Sequence, residues 1–296
     1  MKRIVLATGA ALLLVTAAAG AWLLSGVDRP DQPYNYRTFS SRAWTETMGK
    51  KISYLRPGLP FPKGHRVYDP ARGEWVDLAS LWQDQPLVLE TGSRTCPVYD
   101  SKGTTMDDLH RQYAGRARIA LLYVREAHPG ERVPPHAHLE EKIARAKELP
   151  VRRRVYVDDH AGTLHQVLGL HPNAVYIIGT DGLIAHFSLW NNPTEVGASL
   201  TALLAAGGET RRLSRLAENT CSLPTGTSIT GFFTRMVLNS GPAALRDTVT
   251  VMKTLHGAGR PGTGLRRPVC TTTLFSPPSS RTERPPQSPR PVSRAG

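Results

Sequence analysis

Apolar and polar positions follow an ordered pattern along residues 58–207 and lose it afterwards. Two short strand candidates, Arg66–Tyr68 and Glu74–Val76, flank the turn Asp69-Pro70-Ala71-Arg72-Gly73, and Leu78–Trp82 reads as one helical turn. The apolar run Leu87-Val88-Leu89 predicts a buried strand that gives way to a loop at Glu90-Thr91-Gly92-Ser93. A helix is expected over Asp107–Tyr113 and a second core strand over Ala117–Val124. In Leu139–Leu149 the apolar residues fall at 139, 143, 146 and 149, and Glu and Lys/Arg line the other face, as in an amphipathic helix. A strand at Arg154–Val157, a helix at Gly162–Leu168, and strands at Ala174–Ile178 and Leu183–Leu189 follow. Gly179-Thr180-Asp181-Gly182 is a hairpin turn between the last two. Pro193–Ala206 closes the pattern as a helix.

The resulting order, β-α-β-α-β-α-β-β-α, predicts an α/β domain with a mixed sheet covered on both faces. A hairpin followed by a last helix is how a thioredoxin-like domain ends. Pro172, just before the Ala174–Ile178 strand, stands where such folds carry a cis-proline, with an ordinary trans loop proline as the alternative.

The flanks have another character. Met1-Lys2-Arg3 precedes Ile4–Leu24, a run without a charge. As a helix it would span roughly 30 Å, the thickness of a bilayer core. Residues 1–26 are therefore expected to be a transmembrane anchor that leaves the rest extracytoplasmic, with a cleaved signal peptide and secretion as the alternative. Residues 27–57 read as a polar linker. Residues 208–296 are rich in Pro, Gly, Ser and Arg and are expected to be mostly disordered, with Ile229–Val237 as a short amphipathic piece.

Charge and cysteines narrow the function. The net charge is +13, but from Glu209 onward there are 13 Lys and Arg against 4 Asp and Glu. The basicity thus belongs mostly to the tail, without interleaved aromatics, so no nucleic-acid partner is expected. The chain has three cysteines, Cys96, Cys221 and Cys270, and no C-x-x-C pair. This excludes a zinc ribbon and a site of adjacent dithiols. His136 and His138 lack a third ligand, so no metal is expected.

Cys96 lies in Gly92-Ser93-Arg94-Thr95-Cys96-Pro97, between a buried strand and a helical region. At a helix N-terminus, backbone N–H groups favour a thiolate, which is the nucleophile. Arg94 adds a positive charge, Ser93 and Thr95 offer hydrogen bonds, and Pro97 suits the first helical turn. A buried, inert cysteine is the alternative. The second core strand runs into Glu126-Ala127-His128-Pro129. Parallel neighbours bring their C-terminal ends to one sheet edge. Glu126 and His128, two apart, are expected on one side as proton donor or base beside Cys96. Asp158 and Asp159 are expected to end a strand and start a turn.

These two motifs resemble those of the iodothyronine deiodinase family. The family's loop Gly-Ser-x-Thr-selenocysteine-Pro matches Gly92–Pro97 with Cys96 at the selenocysteine position, and its Glu-Ala-His-Pro matches Glu126–Pro129. Leu139–Ile143, Val155–Asp159 and Val175–Ile178 with Asp181-Gly182 are also similar, so the resemblance covers about Pro60 to Leu204. It implies a thioredoxin-like domain with a peroxiredoxin-like loop and Cys96 as the nucleophile. Glu126 and His128 would be acid/base groups, and Ser93 and Thr95 would support the loop. It implies an oxidoreductase and suggests reductive dehalogenation; the chemistry of sulfur instead suggests peroxide or disulfide reduction, and with either small electrophile no bound cofactor is expected. An external thiol or a thioredoxin-like donor would be the reductant. A non-catalytic, membrane-tethered binding domain on the same fold is the alternative.

Overall fold

A computed structural model describes residues 14–21, 55–216 and 229–245. Residues 14–21, within the uncharged N-terminal run, are helical, and the rest of that run lies outside the described residues. Among the described residues no helix is long and apolar enough to cross a membrane. Most of the expected linker, Cys221, Cys270 and the tail beyond residue 245 also lie outside the described residues.

The strands form where β-branched and aromatic residues cluster between turn residues. They are β1 (Arg66–Asp69), β2 (Glu74–Asp77), β3 (Leu87–Gly92), β4 (Arg118–Tyr123), β5 (Arg154–Val157), β6 (Val175–Ile178) and β7 (Ile184–Ser188). The helices are α1 (Pro97–Asp100), α2 (Gly103–Gln112), α3 (Leu139–Lys147), α4 (Thr163–Val167), α5 (Pro193–Ala205) and α6 (Ile229–Ser240), with 3-10 turns at Leu78–Trp82 and Thr210–Arg212. Two expectations change. β3 runs on through Glu90 to Gly92, and α2 starts four residues earlier than the periodicity places it.

One seven-stranded sheet has the order β2-β1-β5-β4-β3-β6-β7. β3, β4 and β5 are parallel, while β6, β7, β1 and β2 pair antiparallel. The run β4-β3-β6-β7, with a helix between the two parallel strands and α5 after the hairpin, is the thioredoxin-like arrangement. Alternation along β3 sends Leu87 and Leu89 to one core and Val88 to the other. The second core holds Met106 and Leu109 of α2 and Val196, Leu200 and Leu203 of α5. Burying each such side chain is worth roughly 1.5–3 kcal/mol. The first core holds Cys96, Val98 and Tyr99 from the reactive loop, together with Leu164, Leu168 and Leu170.

Register decides where the chemistry goes. Gly92 of β3 pairs with Tyr123 of β4, and Val124 N–H donates to Gly92 O at 3.0 Å. The loops that leave these strands therefore start side by side.

Candidate active site

Cys96 is the N-cap residue of α1, and Pro97 opens that helix as expected. Two parts of the expectation change. α1 is only four residues long, so its dipole is small. The thiol is buried, with 1% of the residue exposed. Burial pushes its pKa up to about 12; backbone N–H groups of Tyr99 and Val98 pull it down, and the Glu90 and Asp100 carboxylates push it up. Arg94 does not serve the thiol. Its guanidinium lies 3.0 Å from Glu148, just beyond α3, in an exposed pair. In this state Cys96 is a thiol, not a thiolate.

The polar side chains of the loop are consumed in joining it to the neighbouring loop. Ser93 Oγ accepts from Ala127 N–H at 3.1 Å. Thr95 donates to Glu126 Oε2 twice, from N–H at 3.0 Å and from Oγ1 at 2.7 Å, and Thr95 Oγ1 accepts from His128 N–H at 3.2 Å. This explains how a Gly-Ser-x-Thr sequence becomes buried: each polar group finds a partner inside. Ser93 and Thr95 thus brace two loops and do not bond the sulfur.

Glu126 and His128 part ways, because the segment after β4 is not extended and the period of two no longer holds. Glu126 turns inward and is buried. Tyr123 Oη donates to its Oε1, His136 Nε2 lies 3.2 Å from that atom, and Arg145 Nη1 lies at 3.6 Å. Burial works against the charge, but the donors His136, Tyr123 and Thr95 win and hold the carboxyl below the usual range. Burial and the Glu126 charge push the Tyr123 phenol up, so it stays protonated. Burial also lowers His136, against the pull of Glu126. Glu126 is thus a fixed carboxylate that can accept a proton. His128 is buried, and its ring stands nearly perpendicular to that of Phe232 of α6, with centroids 5.7 Å apart.

A second buried network lies on the other side of the loop. Glu90, inside β3, binds Arg153 Nη2 at 2.7 Å, Asn173 Nδ2 at 3.0 Å and Asn191 Nδ2 at 2.6 Å. Arg153 also binds Asp107 Oδ1 at 2.8 Å and lies over the Tyr99 ring. Pro172 is buried in the loop before β6, between His171, whose carbonyl accepts from Thr91 Oγ1 at 2.8 Å, and Asn173. Leu170, at φ 62°, is the non-glycine residue in left-handed backbone among those described, and it turns the chain into this loop. Asp158 and Asp159 start a turn as expected: they accept from the first N–H groups of α4. His138 caps α3 in the same way. Among the described residues no group of His, Cys, Asp and Glu is placed to hold a metal ion.

Sequence reasoning missed Tyr123, His136, Arg145, Glu90, Arg153 and Phe232. A carboxylate directly after an apolar strand run was a readable signal for Glu90; His136 stood out only as half of a histidine pair, with nothing to link it to Glu126.

No family profile matches the chain. Among solved structures it is similar to a putative thiol:disulfide interchange protein DsbE from Chlorobium tepidum, at 14% identity and a TM-score of 0.40, covering 51% of this chain and 97% of that one. A secreted Mycobacterium tuberculosis disulfide oxidoreductase homologous to DsbE of E. coli matches at 14% identity and a TM-score of 0.37, over 47% of this chain and 96% of that one. In sequence, the chain is similar to the thyroxine 5-deiodinase of Sparus aurata, 24% identical over 179 residues that make up 53% of this chain and 67% of that protein.

Proposed function

We propose that the protein is a thiol-dependent oxidoreductase of the deiodinase-like type, with Cys96 as its single catalytic cysteine. One observation carries the reading: the Cys96 loop is locked by Thr95 to a buried Glu126 that also touches Tyr123 and His136. A loop cysteine tied through its neighbour to a buried carboxylate with titratable partners suits such chemistry. The sequence likeness to a thyroxine 5-deiodinase supports it.

In the reaction, the Cys96 thiolate attacks an electrophilic atom. With a disulfide, a mixed disulfide forms and one thiolate leaves. With a peroxide, Cys96 becomes a sulfenic acid and an alkoxide or hydroxide leaves, taking a proton. With an aryl iodide, sulfur takes the iodine and the ring carbon takes a proton. An external thiol then attacks the modified sulfur, and a second thiol equivalent restores Cys96 as the external pair is oxidised to a disulfide. The thiol proton would pass to water, Glu126 would exchange protons with His136 while holding the Cys96 loop through Thr95, and His128 would face the substrate. The uncharged run after Lys2-Arg3 supports a domain held outside the cytoplasm.

Cys96→Ser tests this. Thiol-dependent turnover of a panel of disulfides, peroxides and iodinated phenols is expected to vanish. Unchanged turnover would sink the idea. The burial of Cys96 favours a second reading, a non-catalytic membrane-tethered binding domain. Absence of turnover in the native chain, with no Cys96 alkylation at pH 6, would select it.

A further inference from the structure

The proposed chemistry needs a thiolate reached by substrate, yet Cys96 is closed off, and α6 packs against the short helix that Cys96 caps. Its Phe232 packs against the core cluster that contains Cys96 and meets the His128 ring edge-on. The helix also packs against α1, which Cys96 caps. Met236 is buried.

α6 is held by the loop that follows the Glu126–Pro129 motif. Arg132 N–H donates to Ser240 O at 2.9 Å, and Arg132 Nη1 donates to Leu238 O at 2.7 Å. Ala243 N–H donates to both oxygens of Glu131, each at 3.0 Å. Arg235 pairs with Asp100 of α1 at 2.9 Å, both half exposed. Gly130 makes the fit close: a Cβ there would stand 2.3 Å from Ser240 O and 2.9 Å from its carbonyl carbon. These clamps are mostly exposed polar contacts, individually weak and open to competition from water. By contrast, the α2 and α5 faces bury a continuous apolar core. The attachment of α6 therefore rests on less apolar burial than those of α2 and α5.

We propose that α6 is a displaceable cover over the Cys96 site, closed in this state and moved aside to admit substrate. The proposal rests on Cys96 being the reactive group. Its physical consequence is double. Moving α6 opens a path to the sulfur, and it lets water reach the thiol, removing the desolvation that keeps it protonated. The cover and the proton network are also mechanically joined, since the loop that clamps α6 begins at His128 and Pro129.

The test reads alkylation of Cys96 in the full chain by iodoacetamide at neutral pH, mapped by mass so that Cys221 and Cys270 are counted separately. Phe232→Ala removes the covering ring. Gly130→Ala pushes on the backbone at the end of α6, where no side-chain rotation relieves the clash. Both are expected to raise the Cys96 rate on the order of tenfold or more, as the open population grows. Leu200→Ala, in the distant core, is the control for general loosening and is expected to leave that rate within about twofold. The cover is refuted if neither Phe232→Ala nor Gly130→Ala accelerates Cys96, or if Leu200→Ala accelerates it equally. Alkylation requires no turnover, so a catalytically silent Cys96→Ser result would defeat the oxidoreductase reading and leave this measurement standing.

Discussion

Two buried glutamates flank the Cys96 loop, and they are held in opposite ways. Glu90 is gripped by a guanidinium and two amides, none of which gives up a proton at ordinary pH. Glu126 is held by two hydroxyls and an imidazole, with a guanidinium farther off. The first is a brace: it fixes β3, β5, β6 and the α2 helix around the loop through Arg153 and Asp107. The second is the one we propose to be a relay: it touches an imidazole and a phenol, which can titrate. The two are equally buried; the chemistry of their donors separates them.

The largest effect should come from the brace. Arg153→Met leaves Glu90 and Asp107 without their cation inside the protein, and unfolding by urea is expected to show a loss of about 3–5 kcal/mol. Glu126→Gln removes a charge but keeps an acceptor for Thr95 and Tyr123, so its stability loss should be smaller, about 1–3 kcal/mol. Its cost should fall on turnover, which is expected to drop about a hundredfold or more while the fold persists. If Glu126→Gln destabilises as much as Arg153→Met and leaves turnover intact, the distinction between brace and relay is lost.

The same two sites show what could be read from the chain. The strands and the hairpin were legible because apolar runs, turn residues and a period of two are local signals. Cys96, Glu126 and His128 were legible as two motifs at the ends of neighbouring parallel strands. Glu90 was read as the start of a loop, because a carboxylate seldom sits within a fully buried strand. Its partner Arg153 is 63 residues away, and no local pattern carries such a pairing. The burial of Cys96 was misread for a related reason. The polarity of Ser93 and Thr95 looked like exposure, whereas it is satisfied by Glu126 and Ala127 across the loop. Arg94 looked like a cation for the thiol, but a residue next to a site in sequence can point away from it. The amphipathic stretch at Ile229–Val237 was visible, and what it covers was not.

Acid adds a test on the relay side. Glu126 is held below its ordinary value of 4.5, so its stabilisation is complete above that pH and is lost as pH falls through the folded value. Burial lowers His171 to about 3 and His186 to about 4, from an ordinary 6.5. These groups bind protons more readily in the unfolded chain, so stability should fall as pH drops below 6.5, before Glu126 contributes. Measured across pH 7 to 4, unfolding of His171→Leu should show a shallower slope than the native chain. Equal slopes would mean that His171 protonates in place. In Glu126→Gln the loss below 4.5 should shrink while the slope above it stays.

The smallest effect should separate the hydroxyl of Thr95 from its methyl. Thr95→Ser keeps the donor to Glu126 and the acceptor for His128 N–H, and deletes one buried methyl group worth about 0.8 kcal/mol. Thr95→Val keeps the shape and leaves both Glu126 Oε2 and His128 N–H short of a partner, at about 1–3 kcal/mol. If Thr95 only fills space, Val should match or outdo Ser in both stability and turnover. If it links the thiol loop to the carboxylate, Ser should retain turnover to within a few-fold and Val should lose most of it. The acid limb of the pH–rate profile gives the finer reading. Ser should leave it in place, because Glu126 keeps its donors, whereas Val should move it upward, because a carboxylate that loses a hydroxyl donor holds its charge less firmly.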